Sequence, residues 1–244
     1  MTDLRHTLTA GFATLALAIV APQASAAPIP VTFDFDEGSG DAEFDTITPT
    51  AGVNPNPYTI VDSLTGQSIS FVVGYKAADG VTDVTNDSVL QLAGSPGNGS
   101  GIDSGFNSGL TNDQSNQLDS TLGGGRSNEF IEFTFTAPTT LVSLNVSGID
   151  GSKGEQYEVV INGGTPIVVD TDADFVFAAD TTLGAGDTLR VNATAFKDGF
   201  TNPEGETVFR FQELNVEIVP EPGAAVTGML GLGLLTARRR ASAS

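Results

Sequence analysis

Apolar residues recur at every second position in one stretch of this chain after another, and that spacing commits it to β-structure. Val31, Phe33 and Phe35 alternate with Thr32 and Asp34, and Ser68 to Val73 is a β-branched and aromatic run. Ile131, Phe133 and Phe135 alternate with Glu132 and Thr134; Val142, Leu144 and Val146 alternate with Ser143 and Asn145. Tyr157, Val159 and Ile161 run into Asn162-Gly163-Gly164, a hairpin-turn signal that leads to Ile167–Val169. Leu189, Val191 and Ala193 alternate with Arg190, Asn192 and Thr194, and a last strand runs from Thr207 to Ile218. Successive strand side chains point to opposite faces, so a period of two gives each strand one apolar face. No helical period survives between the two ends of the chain. About ten such strands between Gly, Asn, Asp and Thr turns predict an all-β sandwich or jelly roll.

The stretch from Ala93 to Asn128 breaks the rhythm. It is Gly, Ser, Asn and Asp with scattered Ile102, Phe106, Leu110, Leu118 and Leu122. Compact domains rarely carry so long a loop. It is either a surface loop packed down by those apolar residues or a partly disordered one, and the anchors favour packing. Its Gly97-Asn98-Gly99-Ser100-Gly101 run lacks the strand, lysine and helix of a phosphate cradle and reads as turn material.

The two ends have a different character. Arg5 and His6 precede an apolar run from Leu8 to Val20, and Ala24-Ser25-Ala26 is a small-x-small cleavage site. This is the layout of a secretory signal peptide, cut after Ala26. At the other end Val219-Pro220-Glu221-Pro222 precedes an apolar run from Gly223 to Ala237, closed by Arg238-Arg239-Arg240. As a helix that run spans about 22 Å, short of a hydrocarbon core of about 30 Å, and Gly223, Gly228, Gly231 and Gly233 weaken it. It suits a temporary halt in the inner membrane, with the arginines on the cytoplasmic side. The expected organisation is a signal-peptide helix over 1–26, a β-sandwich over 27–218, and a tail with a short transmembrane helix over 219–244.

The order of parts in the tail resembles the PEP-CTERM sorting tail of Gram-negative surface and matrix proteins. The resemblance covers Val219 to Arg240. It implies that signal peptidase and an exosortase process the chain, the exosortase near Pro220-Glu221-Pro222, and that the body passes to the cell surface or an exopolysaccharide matrix. A Gram-positive sortase motif is absent, and without cysteine there is no lipobox.

The body between these ends is strongly acidic. The whole chain carries a net charge of −20, and residues 27–218 alone about −22. Such a surface lacks the basic footprint of a nucleic-acid binder and is repelled by anionic lipid. His6, the sole histidine, lies in the signal segment, and there is no cysteine. A Ser-His-Asp or Cys-His arrangement and the usual zinc sites are thereby excluded from the body. Paired carboxylates remain open to a glycosidase, but no tryptophan and only three tyrosines supply a sugar platform. The chain is therefore read as non-enzymatic.

Calcium is the cofactor that suits so many carboxylates, because hard cations want several oxygens together. Asp34 and Asp36 share the outward face of the first strand. In the last strand Phe209 and Phe211 have one parity and Leu214, Val216 and Ile218 the other. Gln212 and Glu213 thus stand where one residue is expected, as in a β-bulge that re-aims Glu213. Asp34, Asp36 and Glu213 form one candidate metal site; the alternative is a solvated strand face. The arrangement resembles calcium-stabilised jelly-roll carbohydrate-binding modules, with Gln212-Glu213 in place of the usual last-strand aspartate. Asp170, Asp172 and Asp174 form a second candidate, spaced like the start of an EF-hand loop. Phe175 and Thr181 stand where that loop needs glycine and glutamate, so the alternative is a polar turn. The function expected from all this is an exported surface or matrix protein with an adhesive or scaffolding role. A carbohydrate-binding module is the second expectation and a carboxylate-pair hydrolase the third.

Overall fold

The computed structural model describes residues 27–35, 46–49, 57–77, 79, 81–85, 88–92, 100–103, 117–122, 126–194 and 207–219. In chain order the strands are β1 (Ile29–Asp34), β2 (Thr46–Pro49), β3 (Tyr58–Val61), β4 (Ser68–Ala77), β5 (Asp83–Val84) and β6 (Val89–Leu92). They continue with β7 (Ser100–Asp103), β8 (Leu118–Asp119), β9 (Thr121–Leu122), β10 (Arg126–Thr134), β11 (Thr139–Ser147) and β12 (Tyr157–Ile161). The last are β13 (Ile167–Val169), β14 (Phe175–Val176), β15 (Thr182–Leu183), β16 (Thr188–Ala193) and β17 (Val208–Ile218). The fold is all-β: the helical content of these residues is one 3₁₀ turn, Gly151–Lys153. None of their helices is long and apolar enough to cross a membrane. The two expected terminal helices lie outside the described residues.

The strands form two antiparallel sheets. One has the order β14-β11-β17-β7-β6, with β1 and β8 also on β17 and β15 on β11. The other has the order β13-β12-β16-β10-β4-β3-β2, with β5 on β4 and β9 on β10. The first and last strands are direct neighbours, from Ile29 opposite Ile218 to Asp34 opposite Glu213.

Period-2 alternation becomes one core shared by both sheets. Val31, Phe33 and Phe35 of the first strand region, Leu214, Val216 and Phe211 of β17, Phe71 and Val73 of β4, Ile131 and Phe133 of β10, and Leu189 and Val191 of β16 are buried together. Phe35 meets Phe71, Phe133 and Phe211 edge-on at 5.1–5.8 Å between ring centroids. Each buried phenylalanine contributes roughly 2–3 kcal/mol of burial, and each such ring pair about 1 kcal/mol more. Tyr58 stacks on Phe71 at 5.3 Å and its hydroxyl accepts from the Leu90 amide at 3.0 Å, tying β3 of one sheet to β6 of the other.

Within the expected strands one position differs. Leu141 is buried, while Val142, expected on the inward face with Leu144 and Val146, is 41 % exposed. The register of β11 against β17 skips from Leu141 to Ser143 while β17 advances one residue. Val142 is the extra residue of a bulge, which sets its side chain outward and lets Leu141 take the inward place. The bulge expected in β17 is there too: Asn145 faces Glu213, Val146 faces Phe211, and Gln212 is the skipped residue. The hairpin at Asn162-Gly163 is a type I′ turn, with φ of 51° and 62° and the Gly164 amide bonded to the Ile161 carbonyl at 2.8 Å.

The stretch after Ala93 contains β7, β8 and β9 rather than one continuous loop. Its anchors Ile102 and Leu118 are fully buried in the shared core. Phe106 and Leu110 lie outside the described residues.

Candidate functional site

The face of β1, β17 and β11 turned away from the core is largely polar: Thr32 and Asp34 of β1, Ser143 and Asn145 of β11, and Glu213 and Asn215 of β17 stand between the apolar residues. Thr32 Oγ1 donates to Asn215 Oδ1 at 2.6 Å, and Asn215 Nδ2 donates to Ser143 Oγ at 3.2 Å. One row along, Asp34 faces Glu213 and Glu213 faces Asn145. The Phe35 amide donates to the Gln212 carbonyl at 2.8 Å. Asp34–Glu213 is therefore the adjacent, non-hydrogen-bonded pair, where facing side chains come closest. The first and last strands thus set these two acids side by side. Asp36 lies outside the described residues.

The second set of acids does not converge. Asn145 Nδ2 donates to Asp174 Oδ1 at 2.6 Å, which holds Asp174 against the polar face of β11. Asp170 and Asp172 instead line an open depression of about 590 Å³ together with Asp150, Ser152 and Thr171. The loop before β12 sits hard against this segment: a Cβ on Gly151 would lie 2.0 Å from the Asp170 carbonyl oxygen. Among the described residues no group of three or more acidic, histidine or cysteine side chains converges to hold a metal ion. Asp150 is not legible in the sequence as part of this cluster, since it lies twenty residues before Asp170 and only the packing of two loops joins them. Its carboxyl is lowered below the ordinary aspartate range by the Ser152 hydroxyl, against a smaller opposing effect of burial.

Arg190 and Lys76 are held in one ion-pair network. Arg190 on β16 donates from Nε to Glu132 at 2.7 Å and from an Nη to Asp83 at 2.6 Å, and lies 4.0 Å over the Phe130 ring. Lys76 completes the network with Asp83 at 2.5 Å. Burial works to lower the Arg190 pKa, but its two carboxylate partners outweigh this and leave it raised. The network clamps β5 over β4 and β10. Gly74 on β4 is required there, because a Cβ would meet the Val84 carbonyl oxygen at 2.6 Å and Phe130 Cζ at 2.7 Å. Alternation places Arg190 and Glu132 on outward faces, and only the strand register shows that they pair.

Of the sorting residues, Val219 is described. Its amide donates to the Pro138 carbonyl at 3.0 Å, one residue beyond β17. Pro220, Glu221, Pro222, Arg238, Arg239 and Arg240, and the cleavage residues Ala24 and Ala26, lie outside the described residues.

Comparison with protein-family models, with curated proteins and with solved structures finds no match to this chain.

Proposed function

We propose that the chain is an exported protein whose body is a jelly-roll-like β-sandwich, sorted by its tail to the cell surface or an exopolysaccharide matrix, where it serves as a non-enzymatic adhesive or scaffold. The observation that carries this reading is the ordered tail: Val219-Pro220-Glu221-Pro222, an apolar run too short for a permanent span, and Arg238-Arg239-Arg240. That tail starts one residue after the last core strand, so processing near the motif would deliver the acidic body with almost no linker. The sandwich reading is supported by the core that both sheets line. Signal peptidase and an exosortase are the processing partners in this reading, and membrane insertion is transient. Deleting residues 219–244 and following the protein by fractionation tests it: the truncated chain should fail to reach the surface, and unchanged localisation overturns the proposal.

A second reading, a carbohydrate-binding module, is favoured by the Thr32–Asn215–Ser143 ladder, which offers donors and acceptors in a row. A glycan array that retains nothing removes it.

A further inference from the structure

The outermost strand of the larger sheet, β13, has one neighbour, β12, and no strand on its other side among the described residues. Such an edge offers unpaired amides and carbonyls to any extended chain, and proteins commonly blunt it with charge. Here no charge lies on the strand itself. Its sequence is Ile-Val-Val, with Ile167 45 % and Val168 53 % exposed. Both are β-branched, the type that packs best on a neighbouring strand.

What surrounds this edge is predominantly acidic. From Gly154 to Leu189 the chain holds seven acids and no lysine or arginine. Asp170 follows Val169 directly, so the strand runs straight into the depression lined by Asp150, Asp170 and Asp172. An amine is already drawn to its rim: Lys153 Nζ lies 3.7 Å from Asp150. A second copy of this chain is a poor occupant, because it would bring a further net charge of −20 to the same place.

We propose that β13 and the adjoining acidic depression form a docking surface for an extended, lysine- or arginine-bearing polypeptide segment of another protein. The segment adds as a strand to Ile167–Val169, packs its apolar side chains beside Ile167 on the core-side face, and from its other face sets a cationic side chain among Asp150, Asp170 and Asp172. Main-chain bonding supplies affinity in this mode, and the pocket at the strand's end supplies selectivity. The inference goes beyond the export reading, since a failure to bind peptide leaves the localisation result untouched.

The test uses the purified full chain and three labelled probes: a short peptide alternating valine with lysine, one alternating serine with lysine, and one alternating valine with glutamate. Fluorescence anisotropy gives the Kd, and amide hydrogen exchange locates the contact. The valine–lysine peptide is expected to bind at least about tenfold more tightly than either other probe and to slow exchange at Ile167–Val169. Val168→Lys, which charges the edge at an exposed position, and Asp172→Asn, which weakens the depression, should each loosen it. Equal binding of the serine–lysine peptide would reduce the surface to non-specific charge and overturn the proposal. So would protection located elsewhere, or a Kd unmoved by both variants. Protection of β13 that rises with protein concentration in the absence of peptide would assign the edge to self-association and overturn the choice of partner.

Discussion

Tyr157 is fully buried, and its hydroxyl has no hydrogen-bond partner among the described residues. Burial first, and then the negative charge of Asp174, raise its pKa, so it stays a neutral phenol. A buried polar group without a partner loses its hydration and recovers nothing. Tyr157→Phe is therefore expected to leave stability unchanged or raise it by up to about 1 kcal/mol in denaturant melts. Asp83 shows the opposite case. Burial acts to raise its carboxyl, but bonds from Arg190 and Lys76 outweigh it and leave the pKa lowered. The unfolded carboxyl titrates near about 3.9, so between the two values the unfolded chain holds more protons. Stability from Asp83 is then complete above about pH 4 and lost as pH falls through the lower folded value. Denaturant midpoints should show the gap between the natural protein and Asp83→Asn closing on acidification. A gap that stays constant to low pH would show that the network does not discriminate the ionised form. Asp79, held at about 2 by the Thr82 hydroxyl and then by the Thr82 and Val81 amides, has the same sign.

At the scale of elements, the pairing of β11 with β17 is the part of the fold that alternation describes least well. Each strand carries one extra residue, Val142 in β11 and Gln212 in β17. The bulge in β17 was legible because five large apolar residues change parity around Gln212 and Glu213. The bulge in β11 was not, because Leu141 and Val142 are adjacent and equally apolar, and either could face inward. The two are separable by mutation. Leu141→Ala should cost about 2–5 kcal/mol in denaturant unfolding, as a buried truncation. Val142→Ala should fall within about 0.5 kcal/mol, as a surface change. Equal costs would mean that both side chains are buried. The same limit explains why Ile102 and Leu118 could be named as anchors while the short strands that carry them could not: two- to four-residue strands are too brief to show a period.

For the whole molecule, charge dominates outside the core. Among the described residues, Lys76, Lys153 and Arg190 lie against acids of the body, but acids far outnumber bases along the chain, so the surface carries net repulsion. Raising sodium chloride from about 20 to about 200 mM should increase the melting midpoint by screening that repulsion. Calcium at matched ionic strength separates screening from binding, since a bound ion stabilises by mass action beyond any field effect. An ion shared by Asp34, Asp36 and Glu213 requires the midpoint to drop when EDTA is added to the calcium-loaded chain. An unchanged midpoint removes that ion.

By itself the sequence determined that this body is all-β and which side chains form most of its core, because a strict alternation of apolar residues admits no other regular backbone with a single dry face. It also determined the acidity and the absence of histidine and cysteine from the body, which are properties of composition and need no fold. The partners of each acid were decided by tertiary structure. Asp34 meets Glu213 only because the first and last strands are neighbours. Asp170 and Asp172 line one depression with Asp150 only because two loops pack against each other around Gly151, and Asp174 turns to Asn145 only because β14 pairs with β11. Side-chain parity is a local property that sequence spacing carries. Strand order and loop packing arise from contacts between residues far apart in the chain, and no local pattern encodes them.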